Sequence, residues 1–184
     1  MGETTLTVVE ENPMRNIRLD KVVVNIAVGQ SGDPLEKAME VVRQLVDQKP
    51  AVREAKKTIK TFGIRKGEPI ACIATLRGEK ASSFLKRALE AVGNRLRPSC
   101  FDGEGNISFG VREHIEIPGT KYIPRLGIFG LNVNVTLERP GFRVKRRSVK
   151  RVKVGKGHRI TREEAVRFMK DNFGVLMEGE GEER

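Results

Sequence analysis

The chain has no tryptophan and a single tyrosine, and aromatic residues make up only 5% of its 184 positions. An aromatic platform on which nucleobases stack is therefore not expected on its surface. There are two cysteines, Cys72 and Cys100. Without a presequence they are expected as free thiols rather than a disulfide framework. Cys72 falls on the apolar side of a β-like run, the place of a small core residue. The two histidines, His114 in a strand-like stretch and His158 in a basic one, have no further histidine or cysteine at ligand spacing. Structural or RNA-contacting roles are expected for them, and no metal site. No apolar run approaches the roughly 20 residues that cross a bilayer. Met1 to Pro13 contains Glu3, Glu10 and Glu11, unlike a presequence. A soluble, cytoplasmic protein is expected. A GxxxxGK(S/T) phosphate loop is absent, and Gly103, Gly105 and Ser108 lack the third glycine and following helix of a dinucleotide site, so they read as a turn. No set of acid, base and nucleophile converges, so neither catalytic residues nor a cofactor are expected.

What is present is positive charge, and it is concentrated. Lys and Arg number 35 against 24 Asp and Glu, a formal net charge of +11. From Arg139 to Arg162 there are eleven basic residues and no acidic one, so the rest of the chain is balanced at 24 of each sign. Cations packed this densely repel one another unless a polyanion supplies counter-charge, which points to phosphate binding rather than a solvated tail. A membrane-surface role is disfavoured because Val144, Val149, Val152 and Val154 form no wide apolar helical face.

The hydrophobic pattern predicts an α+β fold. Lys21 to Val28 alternates as a strand with Val22, Val24, Ile26 and Val28 on one side. Asp33 reads as the N-cap of a helix with Pro34 at its first position and Glu36 completing a capping box, and Pro50 stops the run. Val52 to Lys60 is β-prone and basic, Gly63 and Gly67 punctuate a loop, and Ile70 to Arg77 alternates again, together a hairpin with a long tip. Ala81 to Val92 predicts a second amphipathic helix ended by Gly93, Ile107 to Ile117 has strand character, and Leu131 to Glu138 is the clearest strand. Thr161 and Glu164 form a capping box, with Ile160 placed as a staple, ahead of a helix ending at Gly174. The expectation is an antiparallel sheet of about five strands with helices on one face, a long basic hairpin loop and a C-terminal basic extension. It divides into an α+β domain over 14–138, the extension with its terminal helix over 139–174, and a disordered acidic tail over 175–184. Asn25, Thr75, Arg77, Asn132 and Asn134 fall opposite the apolar stripes, a polar face suited to ribose and base edges.

Several long motifs then carry a resemblance. KVVVNIAVGQSGD from Lys21, DQKP at Asp47 to Pro50, AKKTIKTFGIRKGEPIACIATLRGE from Ala55 to Glu79, and Ser99 to Gly103 are similar to the L-five family of large-subunit ribosomal proteins, over roughly Asn16 to Phe173. GFRVKRR and GHRITREEAVRFM resemble the extension of its archaeal and eukaryotic branch, and Cys100 stands where bacterial members usually have Ser. The resemblance implies a five-stranded antiparallel sheet on helices in the central protuberance, without catalysis. It implies binding of 5S ribosomal RNA through Asn25, Gln48, Thr75 and Arg77. The hairpin loop, with Thr61, Phe62, Gly63, Ile64, Arg65, Lys66 and Gly67, would contact transfer RNA in the peptidyl site and help bridge to a protein of the small-subunit head. Arg143, Lys145, Arg146, Arg147, Lys150, Arg151, Lys153, Lys156 and Arg159 are the residues expected to hold large-subunit RNA phosphates. The protein would act as a monomer within the ribosome, with no membrane partner. An RNA-modifying enzyme, which needs a clustered site, and a free RNA chaperone, which would not prefer 5S RNA, are the rival readings.

Overall fold

The computed structural model describes residues 12–178. Among the described residues ten elements of regular α or β structure follow one another: β1 (Arg18–Ala27), α1 (Asp33–Val46), β2 (Ala51–Glu54), β3 (Pro69–Leu76), α2 (Gly78–Ala91), β4 (Arg95–Leu96), β5 (Asn106–Val111), β6 (Leu131–Glu138), α3 (Arg162–Phe173) and β7 (Leu176–Met177). Five strands make one antiparallel sheet in the order β2-β3-β1-β6-β5. Alternation explains its two faces. Val22, Val24 and Ile26 of β1, Cys72, Ala74 and Leu76 of β3, and Val133, Val135 and Leu137 of β6 are buried on one side. There α1 packs on β3 and α2 on β1. Phe84, Leu85 and Leu89 of α2 are at most 1% exposed, and each such side chain contributes about 1.5–3 kcal/mol through removal from water.

A bulge breaks the alternation of β1. Its register with β6 slips between Leu19 and Lys21, so Asp20 is the extra residue. A one-residue insertion reverses which side chains face inward. Above it the even-numbered Val22, Val24 and Ile26 are buried; below it Ile17 and Leu19 pack against the core. Arg18 and Asp20 are thereby released from the apolar side.

Several expectations are corrected. Asp33 is the first helical residue, not the N-cap; Gly32, at φ 90°, occupies that position and no side chain caps the helix. Such a positive φ is open to glycine and strained for aspartate. The helix ends ahead of Pro50, with Asp47 left-handed as its C-cap. Strand pairing after α1 covers only Ala51–Glu54, and β5 stops at Val111. His114 lies in a 3-10 turn rather than in a strand.

The expected tail from residue 175 begins too early. Val175 and Met177 are buried, and Leu176–Met177 pairs in parallel with Arg95–Leu96. Apolar side chains with strand partners anchor this stretch; residues 179–184 of the expected tail lie outside the described residues.

The capping box of α3 is formed, with Thr161 Oγ1 accepting from the Glu164 N–H at 3.4 Å and Glu164 accepting from the Thr161 N–H at 3.0 Å. Gly174, left-handed, ends the helix. Ahead of α3, Phe142 and Ile160 join the core, so the basic segment is fastened to the sheet at both ends. Gly105 makes room for this. A Cβ there would lie 3.0 Å from Cβ of Ile160, and its φ of +81° suits only glycine without strain.

Candidate nucleic-acid interface

The face of the sheet away from the helices is a polar grid. In register across four strands, Ile73, Asn25, Asn132 and Gly110 share one row, and Thr75, Val23, Asn134 and Ser108 share the next. Lys21, Thr136 and Asn106 continue it. Ser108 Oγ donates to Asn134 Oδ1 at 2.7 Å, leaving the Asn134 amide nitrogen to act as an outward donor. Asn25 and Thr75 therefore stand one row apart on this surface, as alternation predicts. Gln48 is not on it. That residue lies half-buried in the connection from α1 to β2.

Arg77 sits at the end of the grid, just before α2, with its guanidinium turned onto Asp20 Oδ1 at 2.7 Å. Arg146, from the basic segment, reaches both oxygens of Asp20 at 3.4 Å and also pairs with Glu138, whose other oxygen holds Arg18 at 2.7 Å. This network joins the sheet to the segment. Sequence reasoning missed Arg18, Asp20 and Glu138 because strand alternation says nothing about a bulge.

The hairpin loop is ordered by its own contacts. Ile59 and Ile64 form an antiparallel bridge, Thr58 Oγ1 accepts from the Lys66 N–H at 3.0 Å, and Lys60–Phe62 makes a 3-10 turn closed by left-handed Gly63. Glu68 is its organiser, accepting from the Arg65 N–H and from the Ser31 hydroxyl, each at 2.9 Å. Those bonds, the Arg65 N–H first, hold its carboxyl below the usual carboxylate range. Thr61, Phe62, Arg65, Lys66 and Gly67 are exposed, Phe62 to 71%.

In the basic segment all nine expected phosphate-binding residues are exposed, from Arg143 to Arg159. They are not equally available. Arg146 is in the network, Arg159 lies 3.4 Å from Glu104, Arg147 donates to the Lys150 carbonyl at 2.8 Å, and Lys145 lies 4.8 Å over the Phe142 ring. Arg143, Lys150, Arg151, Lys153 and Lys156 have no side-chain hydrogen bond or ion pair among the described residues.

Arg139, the first cation of the segment, has a different task. It is buried, donating to the carbonyls of Arg15 and Arg159 at 3.0 and 3.2 Å and to Glu164 at 2.7 Å. One guanidinium thus clamps the turn ahead of β1, the end of the basic segment and the cap of α3. Burial pushes the Glu164 carboxyl up, but the Thr161 N–H and Arg139 outweigh it and keep it ionised.

The remaining chemistry-bearing side chains are structural. Burial drives the Cys72 thiol up to about 11, so it is no nucleophile at neutral pH. His114 Nδ1 accepts from the Phe129 N–H at 3.2 Å, and burial lowers its pKa. His158 Nε2 lies 2.9 Å from the Pro140 carbonyl, which can only accept, so that nitrogen carries the proton. Its ring stands edge-on to Phe142 at 5.7 Å, pinning the basic segment. Asp102 closes the predicted glycine turn; burial raises its carboxyl, but bonds from Asn106 and from the Glu104 N–H bring it below its ordinary value. Among the described residues no group of three or more His, Cys, Asp or Glu could hold a metal ion, and no helix is long and apolar enough to cross a membrane.

Comparison with known proteins gives the family. Residues 12–65 match the family model described as ribosomal protein L5, and residues 69–168 match the model for the C-terminus of the same ribosomal family. The large ribosomal subunit protein uL5 of Aeropyrum pernix is 54% identical over 167 residues, covering 90% of this chain and 87% of the relative. The protein of that name from Nitrosopumilus maritimus is 49% identical over 177 residues, covering 96% of this chain and 99% of its own length. That from Archaeoglobus fulgidus is 52% identical over 168 residues, covering 91% and 93%. With the two family models matched in order and relatives aligned from end to end, the chain belongs to the ribosomal protein L5 family, in its archaeal form.

Proposed function

We propose that the polar sheet face and the basic segment together bind 5S ribosomal RNA and the adjoining large-subunit RNA in the central protuberance, and that the hairpin loop contacts peptidyl-site transfer RNA. As a member of its family the chain is a structural constituent of the large subunit in the cytoplasmic ribosome, not an enzyme. Asn25, Thr75 and Arg77 hydrogen-bond 5S RNA, with Gln48 reaching it from beside the sheet. The exposed cations from Arg143 to Arg159 neutralise phosphates, which position the RNA without reading its sequence. The loop, with Phe62, Arg65 and Lys66 at its tip, also takes part in the bridge to a small-subunit head protein.

The observation that carries this reading is the meeting of the two surfaces. Arg77 at the end of the grid and Arg146 in the basic segment touch one carboxylate, Asp20. Hydrogen-bonding groups and charge therefore form one continuous face, as a folded RNA requires. The test is to recover the RNA bound to full-length protein from cells, sequence it, and compare Arg77→Ala. Enrichment of 5S RNA that Arg77→Ala reduces is the expected result. Recovery of diverse RNAs without 5S enrichment would favour a chaperone.

A further inference from the structure

Three arginines from distant parts of the chain converge on two carboxylates where the bulge interrupts β1. Arg18 pairs with Glu138, Arg77 with Asp20, and Arg146 with both acids. The exposures are unequal. The side chains of Asp20 and Glu138 are 10% and 7% exposed, while those of Arg18, Arg77 and Arg146 are 61%, 55% and 44% exposed. The acids lie beneath and the guanidiniums lie above.

Stability is a poor reason for this arrangement. Exposed arginines gain little from ion pairing, and burying carboxylates carries a desolvation cost. What it supplies is orientation. An arginine presents five N–H donors, and these contacts occupy one or two nitrogens of each guanidinium, leaving donors directed to solvent. Three cations over two anions leave a net positive charge. Asp20 Oδ1 is shared by Arg77 at 2.7 Å and Arg146 at 3.4 Å, so those two guanidiniums are neighbours despite their separation in sequence.

We propose that Asp20 and Glu138 are positioning residues that hold Arg18, Arg77 and Arg146 as one platform, and that this platform takes a backbone phosphate of the bound RNA. Planar forked donors match a phosphate's oxygens. The cation track that leaves the platform through Arg147 and Lys150 has no acidic residue as far as Arg162. It suits a ligand with repeating negative charge rather than a lone carboxylate. The inference rests on the RNA-binding reading above and adds to it that acids on the binding surface promote RNA binding.

The sign of one substitution tests it. Asp20→Asn removes a negative charge from beside the RNA, so simple electrostatics demands tighter binding. If Asp20 orients Arg77 and Arg146, binding weakens instead, by about two- to tenfold, because the RNA must now order those side chains itself. The measurement is equilibrium binding of full-length protein to 5S RNA transcribed in vitro, at fixed ionic strength, with thermal unfolding to verify folding. Asp20→Asn is repeated in an Arg77→Ala, Arg146→Ala background, where nothing remains for Asp20 to orient.

A loss in the native background that vanishes or reverses in the one lacking Arg77 and Arg146 supports the platform. Tighter or unchanged binding in the native background overturns it, as does an equal loss in both, which is a general structural effect. Glu138→Gln, read against Arg18→Ala and Arg146→Ala, carries the same comparison should Asp20→Asn not fold. If the protein lacking Arg77 and Arg146 binds 5S RNA as well as the native one, the RNA does not reach this junction. The reading of the sheet face then fails along with the platform, whereas a failure of Asp20→Asn alone leaves that reading standing.

Discussion

Between Ala55 and Glu68 the chain carries five cations, and between Arg139 and Arg162 it carries eleven. The first group stands on a loop that supports itself through Glu68, Thr58 and the Ile59–Ile64 bridge. The second is irregular chain stretched over the core and held by Arg139, Phe142, His158 and Ile160. Equal chemistry thus rests on unlike foundations. A loop with local contacts can be altered without disturbing the fold, whereas a segment whose anchors are core residues cannot be cut away cleanly.

That contrast is broken most directly at Arg139. Arg139→Ala strands the carbonyls of Arg15 and Arg159 and removes a charge partner from Glu164, so a loss of about 2–4 kcal/mol in folding stability is expected by chemical denaturation. This is less than for a fully buried pair, because Glu164 keeps solvent contact. A loss below about 0.5 kcal/mol would mean the segment is not clamped there.

The anchoring also dictates how the segment's charge must be probed. Truncation after Glu138 would remove Phe142, Ile160 and α3 from the core along with the cations. Glutamine at Arg143, Lys150, Arg151, Lys153 and Lys156 removes only charge. Affinity for large-subunit RNA should fall by about 10²–10³ near physiological salt, and the slope of log affinity against log salt should flatten by about 3–5. Equal slopes for native and substituted proteins would assign RNA binding elsewhere.

The loop is the opposite case. Replacing Ile64 to Lys66 with Gly-Ser-Gly should cost about 1 kcal/mol of stability or less and leave 5S affinity nearly unchanged, since distant sites act independently. Peptidyl-site transfer RNA should dissociate faster from ribosomes carrying the variant. If 5S binding collapses while transfer RNA retention is unaffected, the two surfaces are reversed.

The smallest effect concerns His114, remote from both regions in function. Its folded pKa lies below the ordinary 6.5. Below about that pH the unfolded chain therefore binds more protons than the folded one. Stability is fully retained above 6.5 and declines as pH falls, until the folded ring protonates too. His114→Asn, which keeps an acceptor for the Phe129 N–H, should flatten the decline below about pH 6.5 in denaturation series. An unchanged slope would mean that the folded ring takes up its proton at the same pH as the unfolded one.

The sequence by itself determined the three central strands β3, β1 and β6, the polar side of the sheet and the cap of α3, because these depend on local periodicity and on residues three positions apart. Leu131–Glu138 and the box of Thr161 and Glu164 are found where the pattern places them. It determined as well that the net charge lies in one segment. It did not determine which cations face solvent. Arg139 and Arg143 are alike in the sequence, and only the arrival of Arg15, Arg159 and Glu164 around Arg139 makes the first a clamp. Nor could alternation place Asp20, since a bulge is a mismatch between two strands and becomes visible only when β1 meets β6. Whether a charged side chain binds a partner or holds its neighbours is settled by burial, and burial belongs to the packed chain.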